Sequence, residues 1–590
     1  MNILGITLGH DTSFSLVSDG KVLGVTEAER WFRQKRYKLH ALSLQAGRKA
    51  SGFQYVDVAE LESFLGVVAK AWGTRYDALA VQNQGRGEEY RNLQTLLKRA
   101  GFTFDAAYQI NHHLSHAALA FYTSPFEEAV VFSYDGEGND GQTIVFQAGS
   151  GGLEYVERSR LKFGQSYSNV GHIVGIKPDI TGTTSGKLMG LVAYGTLRED
   201  WLPYARKYVQ EYQKLATRIA DGLNQYGKGH RINSIGLEEI PELRPFLVDG
   251  SQLAGSPLKK LARMITASDH DPGAEMRLPG PEDRSAQDLA HTVQVAWTEE
   301  VLALLKPHCG RSDNLCVSGG CALNGITNYE IQRRELFRET HFVPNPTDCG
   351  LSAGAALWVH YQSTRQKFRG YGSYFSPYLG PEAFDRAELP TFKRAYPNRE
   401  LRPGEAPRIL ARLLWAGRIV GVIRGGYEVG PRALGNRSIL CNPLNREMRE
   451  VINRKVKHRE WYRPFAPVVT AEDAPRYFTN VHEIPYMSVI CYTRPEWADR
   501  LPSVTHVDGT ARVQTVRRDQ HAFLYETLRE FEKLAGVPVL LNTSFNPRGE
   551  PILNFCAVGL SMLDTTDLDL VLIEDTLFSR SGRERLLDTL

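Results

Sequence analysis

Two distant stretches of the chain spell out the same succession of local structures, and this duplication constrains the fold more than any other feature. In the first, Ile3–Thr7 is apolar, Gly9-His10-Asp11-Thr12 is a polar loop and Ser13–Val17 alternates. Asp19-Gly20 is a two-residue hairpin signal, and Lys21–Thr26 is a third strand. In the second, Glu128–Tyr134 is apolar and β-branched, Asp135-Gly136-Glu137-Gly138 is a loop and Gln142–Gln147 is a strand. Gly149 to Gly152 turns, and Leu153–Arg158 is a strand again. The repeat is one of topology rather than of residues, and each copy places an aspartate in its first loop. Two strand–loop–helix units follow. Asn314–Val317 leads into SGGCALNG at 318–325, and Thr340–Val343 leads into NPTDCG at 345–350 and the helix Leu351–His360. Helices that follow strands in this way predict parallel α/β units.

The chain has 590 residues, enough for two to four domains of about 100–200 residues each. Residues 198–285 are rich in helix formers and read as an insertion, followed by a long amphipathic helix, Ala286–Leu305. Residues 368–407 are irregular, with Gly, Pro and Tyr, and read as a linker. Beyond it, the helix Arg408–Ala416, the strand Ile419–Ile423 and a glycine-rich loop at 425–438 open a second α/β domain. The expected division is therefore 1–367, a linker at 368–407, and 408–590. Lys and Arg total 70 against 67 Asp and Glu, a net +3, too balanced for a nucleic-acid-coating protein. No run of 18 apolar residues marks a membrane span, and the start MNILGITLGHDTS lacks the basic region of a secretory signal. Seven cysteines, an odd number with no CxxC, read as reduced thiols in a cytoplasmic protein.

Asn111-His112-His113-Leu114-Ser115-His116 opens a helix running to Tyr122, and its spacing puts His112 and His116 on one face. Two neutral imidazoles on one face can hold a divalent transition metal; equally, they can be core or capping histidines. Asp135 at the end of its strand and Asp348 before a helix strengthen the metal reading, although turn and cap roles are commoner for either alone. Two imidazoles with two carboxylates suit Fe²⁺, Mn²⁺ or Zn²⁺ better than Mg²⁺. Ser318-Gly319-Gly320 is either a phosphate-approaching loop or a plain tight turn. Thr181-Gly182-Thr183-Thr184-Ser185-Gly186-Lys187 resembles a phosphate-gripping loop but lacks the Walker spacing, and a solvated lysine is the alternative for Lys187. The second half is denser in cations: Arg432 and Arg437 in the glycine-rich loop, Lys457, Arg459 and Arg463 in NRKVKHREWYRPFAP, and Arg512 in DGTARVQTV. Ser544 and Asn546 follow the strand Val537–Leu541. Arginine forks in rigid Gly/Pro loops predict a small, highly anionic ligand, with solubilising surface charge as the alternative.

At these residues the sequence resembles the O-carbamoyltransferase family of antibiotic tailoring and nodulation-factor modification. The resemblance runs over nearly the whole chain, through GHDTS, EAERWFRQK, NHHLSHA, DGEGND, SGKLMGLVAYG, SGGCALN, NPTDCGLSAGAA, GPRALGNRSIL, NRKVKHREWYRPFAP and LNTSFNPRGEPI. It implies an α/β protein with an N-terminal duplicated actin-like domain and a C-terminal α/β domain similar to threonylcarbamoyl-adenylate synthase. It implies that the C-terminal domain makes carbamoyl-adenylate from carbamoyl phosphate and ATP, with Mg²⁺ admitted beside the ATP, at Arg432, Arg437, Lys457, Arg459, Arg463, Arg512, Ser544 and Asn546. The intermediate then reaches an iron-type site at His112, His116, Asp135 and Asp348, where a hydroxyl of a small-molecule acceptor attacks. Gly136, Lys187, Gly319, Gly320 and Asn324 are implied to bind the adenylate, His10 to act as base and Lys35 to contact the reacting phosphate or carbonyl. Ala28, where acidic EEER is more usual, and TSGK in place of EGK leave the acceptor open, and a homodimer is also left open.

Four other readings compete. An actin-like kinase leaves the arginine-rich second half unused. A tRNA-threonylcarbamoylating fusion needs a tRNA surface that +3 over 590 residues does not supply. A metalloprotease lacks the glutamate of HExxH, and a non-enzymatic nucleotide-binding regulator leaves the metal and anion constellations without purpose.

Overall fold

Alternating apolar strands separated by tight turns build two five-stranded sheets on one plan. The computed structural model describes residues 1–37, 58–83, 87–178, 182–223 and 280–588. In the first sheet, β1 (Asn2–Leu8), β2 (Ser13–Ser18) and β3 (Lys21–Glu27) form an antiparallel meander. Strands β4 (Arg75–Asn83) and β5 (Thr103–Ile110) continue it in parallel, giving the order β3-β2-β1-β4-β5. The second sheet repeats this. Strands β6 (Ala129–Gly138), β7 (Gly141–Gly149) and β8 (Gly152–Ser159) form the meander, and β9 (Asn314–Ser318) and β10 (Glu339–Phe342) run parallel, in the order β10-β9-β6-β7-β8. This is the duplicated α/β core that the repeated strand–loop–strand units predict.

Two helices pack between the sheets: His112–Tyr122, which follows β5, and Leu351–Thr364, which follows β10. Ala117, Ala118 and Ala120 on one and Ala353, Ala355 and Ala356 on the other are buried in a common core with residues of both sheets. Small side chains here let the helix backbones approach closely. The helix expected at Ala286–Leu305 spans Arg284–Leu305 and packs against Leu202–Leu223, which begins the helix-rich insertion. The rest of that insertion, 224–279, lies outside the described residues.

The second half is built on an eight-stranded sheet. Its order is Asn398–Glu400, Thr576–Phe578, Leu570–Ile573, Val420–Ile423, Arg437–Cys441, Val539–Ser544, Ala466–Thr470, Gln514–Val516. The outermost strand comes from the segment expected to be a linker, where Asn398 pairs with Phe578 and Glu400 with Thr576. A three-residue polar edge strand carries no apolar alternation, so periodicity cannot reveal it. The rest of that segment is also anchored. Val25 N donates to Leu379 O and Val22 N to the Tyr371 hydroxyl on the side of the first half. On the other side Gly380 N donates to Tyr427 O, Phe384 N to Asn554 O and Leu401 N to Asp575 O. All seven cysteines are free and six are buried. Among the described residues no helix is long and apolar enough to cross a membrane.

Candidate functional site

The end of β6, the loop after β10 and the histidine helix build a four-residue centre. The helix's first amides are capped from outside: His112 N donates to Asn139 Oδ1 at 2.9 Å and His113 N to Asp140 Oδ1 at 3.1 Å. A carboxylate against exposed helical N–H groups favours this terminus. The cap holds the helix over β6 so that His112 and His116, both fully buried, face Asp135. His112 Nε2 lies 3.0 Å from Asp135 Oδ2 and 3.8 Å from Asp348 Oδ1; His116 Nε2 lies 3.4 and 3.6 Å from the same two atoms. All four potential ligand atoms fall within 4.8 Å of one another. Donors about 2.0–2.2 Å from a shared cation lie up to about 4.4 Å apart, and the histidine–carboxylate distances of 3.0 to 3.8 Å fall within that reach.

Several features fix the donors. Asp348 does not cap the helix that follows it, whose first flanking residue is Gly350. Gly320 N donates to Asp135 Oδ1 at 3.0 Å, leaving Oδ2 for the histidines. Ser318 Oγ stands 3.4 Å from His116 Nδ1, and Ser133 Oγ 2.7 Å from His113 Nδ1. Gly319 has φ +96, and a Cβ there would stand 2.1 Å from Tyr134 O, so only glycine lets this loop lie against β6. At Gly138 a Cβ would meet His112 Cδ2 at 2.7 Å.

The electrostatics agree with a cation site. Burial raises the Asp135 carboxyl, but hydrogen bonding and charge from His112 and His116 outweigh it and hold Asp135 well below the usual range. His116 is lowered by burial and raised, on balance to about 9, by Asp135 and Asp348. Its Nε2 is buried and makes no hydrogen bond of good geometry. A buried imidazole nitrogen between two carboxylates, without a hydrogen bond of good geometry, suits a metal ligand, and the four residues fit a divalent cation. His113, on the other face, is pushed down to about 3 by burial and by His112 and His116, so it stays neutral as a core residue.

His10 joins this centre. Its Nδ1 lies 3.1 Å from Asp11 Oδ2 and 3.3 Å from Asp348 Oδ2. Burial lowers its pKa, and Asp348 and Asp11 raise it on balance to about 9. The residues expected on the adenylate are spread over several elements. Gly319 and Gly320 support Asp135, and Gly136 directly follows it. Asn324 accepts from Thr327 N as a helix cap and donates to Gln294. Lys187 Nζ is held 2.6 Å from Glu460 of the second half and donates to Lys177 O at 2.9 Å. Lys35 lies outside the four-residue centre, near enough to Lys457 of the second half to lower that lysine's pKa.

The second half gathers the cations. A short helix, Met448–Val451, passes into a π-helical turn, Ile452–Lys457, a widening frequent at functional sites. Lys457 Nζ donates to Ser544 O at 2.8 Å, Asn546 Oδ1 at 2.7 Å and Asn546 O at 3.0 Å, so Ser544 and Asn546 serve this lysine. Arg459 donates to Asn453 Oδ1 and Pro464 O and stacks 4.0 Å over Phe465. Arg432, Arg463 and Arg512 complete the group. Burial and Arg463 push Arg432 down to about 10; burial, Arg432, Arg463 and Arg459 push Arg512 well down. The Nε atoms of Arg432 and Arg512 are buried without hydrogen-bond partners. Arg437 stands apart: it is fully buried and its donors go to Arg424 O, Gly425 O, Asn436 O and Asn554 Oδ1. It shapes the glycine-rich loop from within.

The sequence pattern did not single out the joint between the halves. Arg30 pairs with Glu27 at 2.5 Å and donates to Glu428 O and Gly430 O, and it stacks 4.2 Å over Tyr427. Glu27 in turn accepts from Gly430 N at 2.7 Å. Glu428 Oε1 accepts from Leu434, Asn436 and Arg437 amides.

Known proteins resemble this chain along most of its length. A profile described as Carbamoyltransferase N-terminus matches residues 87–357, and one described as Carbamoyltransferase C-terminus matches 411–580. Nodulation protein U of Sinorhizobium fredii is 30% identical, over 93% of this chain and 94% of its own. Nodulation protein NolNO of the same species is 30% identical, over 95% of this chain and 78% of its own. Among solved structures, full-length HypF in the phosphate- and nucleotide-bound form aligns at 12% identity over 62% of this chain and 56% of its own, with a TM-score of 0.31. With identity at this level running through both halves, the chain belongs to the carbamoyltransferase family and is an enzyme of that class.

Proposed function

We propose that the second half converts carbamoyl phosphate and ATP into carbamoyl-adenylate, and that the first half transfers its carbamoyl group to a hydroxyl of a small-molecule acceptor. Over the whole cycle one water cleaves carbamoyl phosphate to carbamate and inorganic phosphate, the carbamate displaces pyrophosphate from ATP to give carbamoyl-adenylate, and the acceptor hydroxyl takes the carbamoyl group and releases AMP. The observation that carries this reading is the cation cluster of Arg432, Arg459, Arg463, Arg512 and Lys457, in which two guanidinium Nε atoms are buried and unpartnered. Desolvated like charges repel, so such a group is stable only when a multiply charged anion neutralises it. Phosphates match the guanidinium forks, which would stabilise negative charge on the departing pyrophosphate. Lys457, whose three donors go to Ser544 and Asn546, would shape the loop beneath the site rather than grip a phosphate itself.

In the first half, His112, His116, Asp135 and Asp348 would hold a divalent cation, with iron the family's implied choice. Such a cation supplies Lewis acidity to a bound carbonyl or phosphoryl oxygen. Asp348 would hold the cation through the carboxylate oxygen that faces His116, while its other oxygen orients His10. Against burial, Asp348 and Asp11 hold the His10 pKa up at about 9; a cation on Asp348 would offset that pull and leave the imidazole able to act as base toward the acceptor hydroxyl. The burial of both histidines keeps bulk water from the carbamoyl carbon.

Two sites imply two separable half-reactions. His112→Ala should abolish acceptor carbamoylation while carbamoyl-phosphate-dependent pyrophosphate release continues, followed in one assay of AMP, ADP and pyrophosphate. A folded His112→Ala protein that releases no pyrophosphate would show that the sites do not divide the work in this way. ADP as the product would point to an actin-like kinase instead.

A further inference from the structure

Within the cation cluster of the second half one carboxylate intrudes. Glu460 Oε2 lies 3.5 Å from Arg463 Nη1, and Glu460 Oε1 lies 2.6 Å from Lys187 Nζ. Oε2 is buried and forms no hydrogen bond of good geometry, so its hold on Arg463 is loose. Lys187 belongs to the other half of the molecule, on the helix Ser185–Leu191. Gly190 of that helix packs on the same loop, its side chain position 3.4 Å from Tyr462 O and 3.7 Å from Arg463 Cα. Glu460 thus has two cationic partners in two halves, one of which, Arg463, sits among the groups facing the anion.

We propose that Glu460 is the resident counter-ion of the anion site and that Lys187 is a positioning residue which draws it off Arg463 when an anion binds. This rests on the cation cluster being an anion site, as argued above. The carboxylate is shared between unequal contacts, 2.6 Å on Lys187 and 3.5 Å on Arg463. An incoming phosphate competes with Glu460 for Arg463 and repels it, and Lys187 receives it. Occupancy of the second half is thereby transmitted to the helix that carries Lys187 in the first half. Lys187 acts on the anion through Glu460, where the sequence motif alone suggests direct contact with phosphate.

A double-mutant cycle tests this with inorganic pyrophosphate as the probe, its dissociation constant measured by calorimetry on the full chain. Glu460→Gln removes the competitor and should tighten pyrophosphate binding about threefold or more, the size expected for a partly exposed ion pair. Lys187→Met leaves Glu460 wholly to Arg463 and should weaken binding by a similar factor. In the Glu460→Gln background Lys187→Met should lose most of that effect, and Lys187→Arg should bind like the parent. Equal weakening by Lys187→Met in both backgrounds would make Lys187 a direct anion ligand and overturn the proposal. So would Glu460→Gln that binds no tighter than the parent. Should Lys187→Met fail to fold, the Glu460→Gln result alone decides. A parent chain that binds no pyrophosphate would overturn the anion site itself, an outcome distinct from a failure of the cycle.

Discussion

Replacing Arg30 with Met should open the joint between the halves. Arg30 is 1% exposed and its ion pair with Glu27 is buried on both sides, 1% and 3% by side chain. The substitution keeps the volume but removes the pair at 2.5 Å, the bonds to Glu428 O at 2.8 Å and Gly430 O at 3.0 Å, and the stacking on Tyr427. Glu27 is left as a buried carboxylate whose remaining close donor here is Gly430 N at 2.7 Å. Solvent does not screen this pair, so the cost of stripping one partner from a buried ion pair applies, about 3–5 kcal/mol. If the joint opens locally, hydrogen exchange in peptides spanning 28–33 and 425–438 should accelerate by about a hundredfold to a few thousandfold, with peptides of the two small sheets unchanged. Most of the cost is the stranded charge, so Glu27→Gln/Arg30→Met should regain at least about tenfold of the lost protection. Unchanged exchange in Arg30→Met, or a double mutant less protected than the single one, would refute the reasoning.

Two further outcomes are expected. Elemental analysis should find about one Fe²⁺, Mn²⁺ or Zn²⁺ per chain, falling sharply in His112→Ala/His116→Ala along with carbamoyl transfer; full-rate transfer by metal-free protein in chelator would remove the metal from the chemistry. Arg512→Ala and Arg432→Ala should each lower carbamoyl-phosphate-dependent turnover by about tenfold to a hundredfold, the loss of a charge-assisted contact, whereas wild-type kcat/KM in both would dismiss the cluster as an anion site.

The parts legible in the sequence were those whose cause is local. The meanders at 2–27 and 129–159 announce themselves through alternation and a hairpin turn, and the histidine pair through its four-residue spacing. The joint was not legible, because Arg30 meets carbonyls about 400 positions away and looks from its neighbours like one member of a basic tract. Arg437 shows the opposite failure: an arginine in a glycine-rich loop reads as a ligand, but its donors are taken up by the carbonyls of that same loop and by Asn554. Whether an arginine's donors are spent or spare is a property of tertiary structure that spacing does not encode. Lys187 has the same ambiguity, and its partner Glu460 becomes visible only when the two halves are brought together.

The segment between the halves has a consequence for engineering. Tyr371 and Leu379 hold the β2–β3 hairpin edge, while Gly380, Phe384 and the strand Asn398–Glu400 are built into the second half. A domain exchange that cuts ahead of Tyr371 strips the amides of Val22 and Val25 of their acceptors. A cut after Glu400 peels an edge strand from the eight-stranded sheet. By these contacts only a crossover between Leu379 and Gly380 leaves each set with its own half, so chimeras that trade halves between relatives at any other point in the stretch should misassemble.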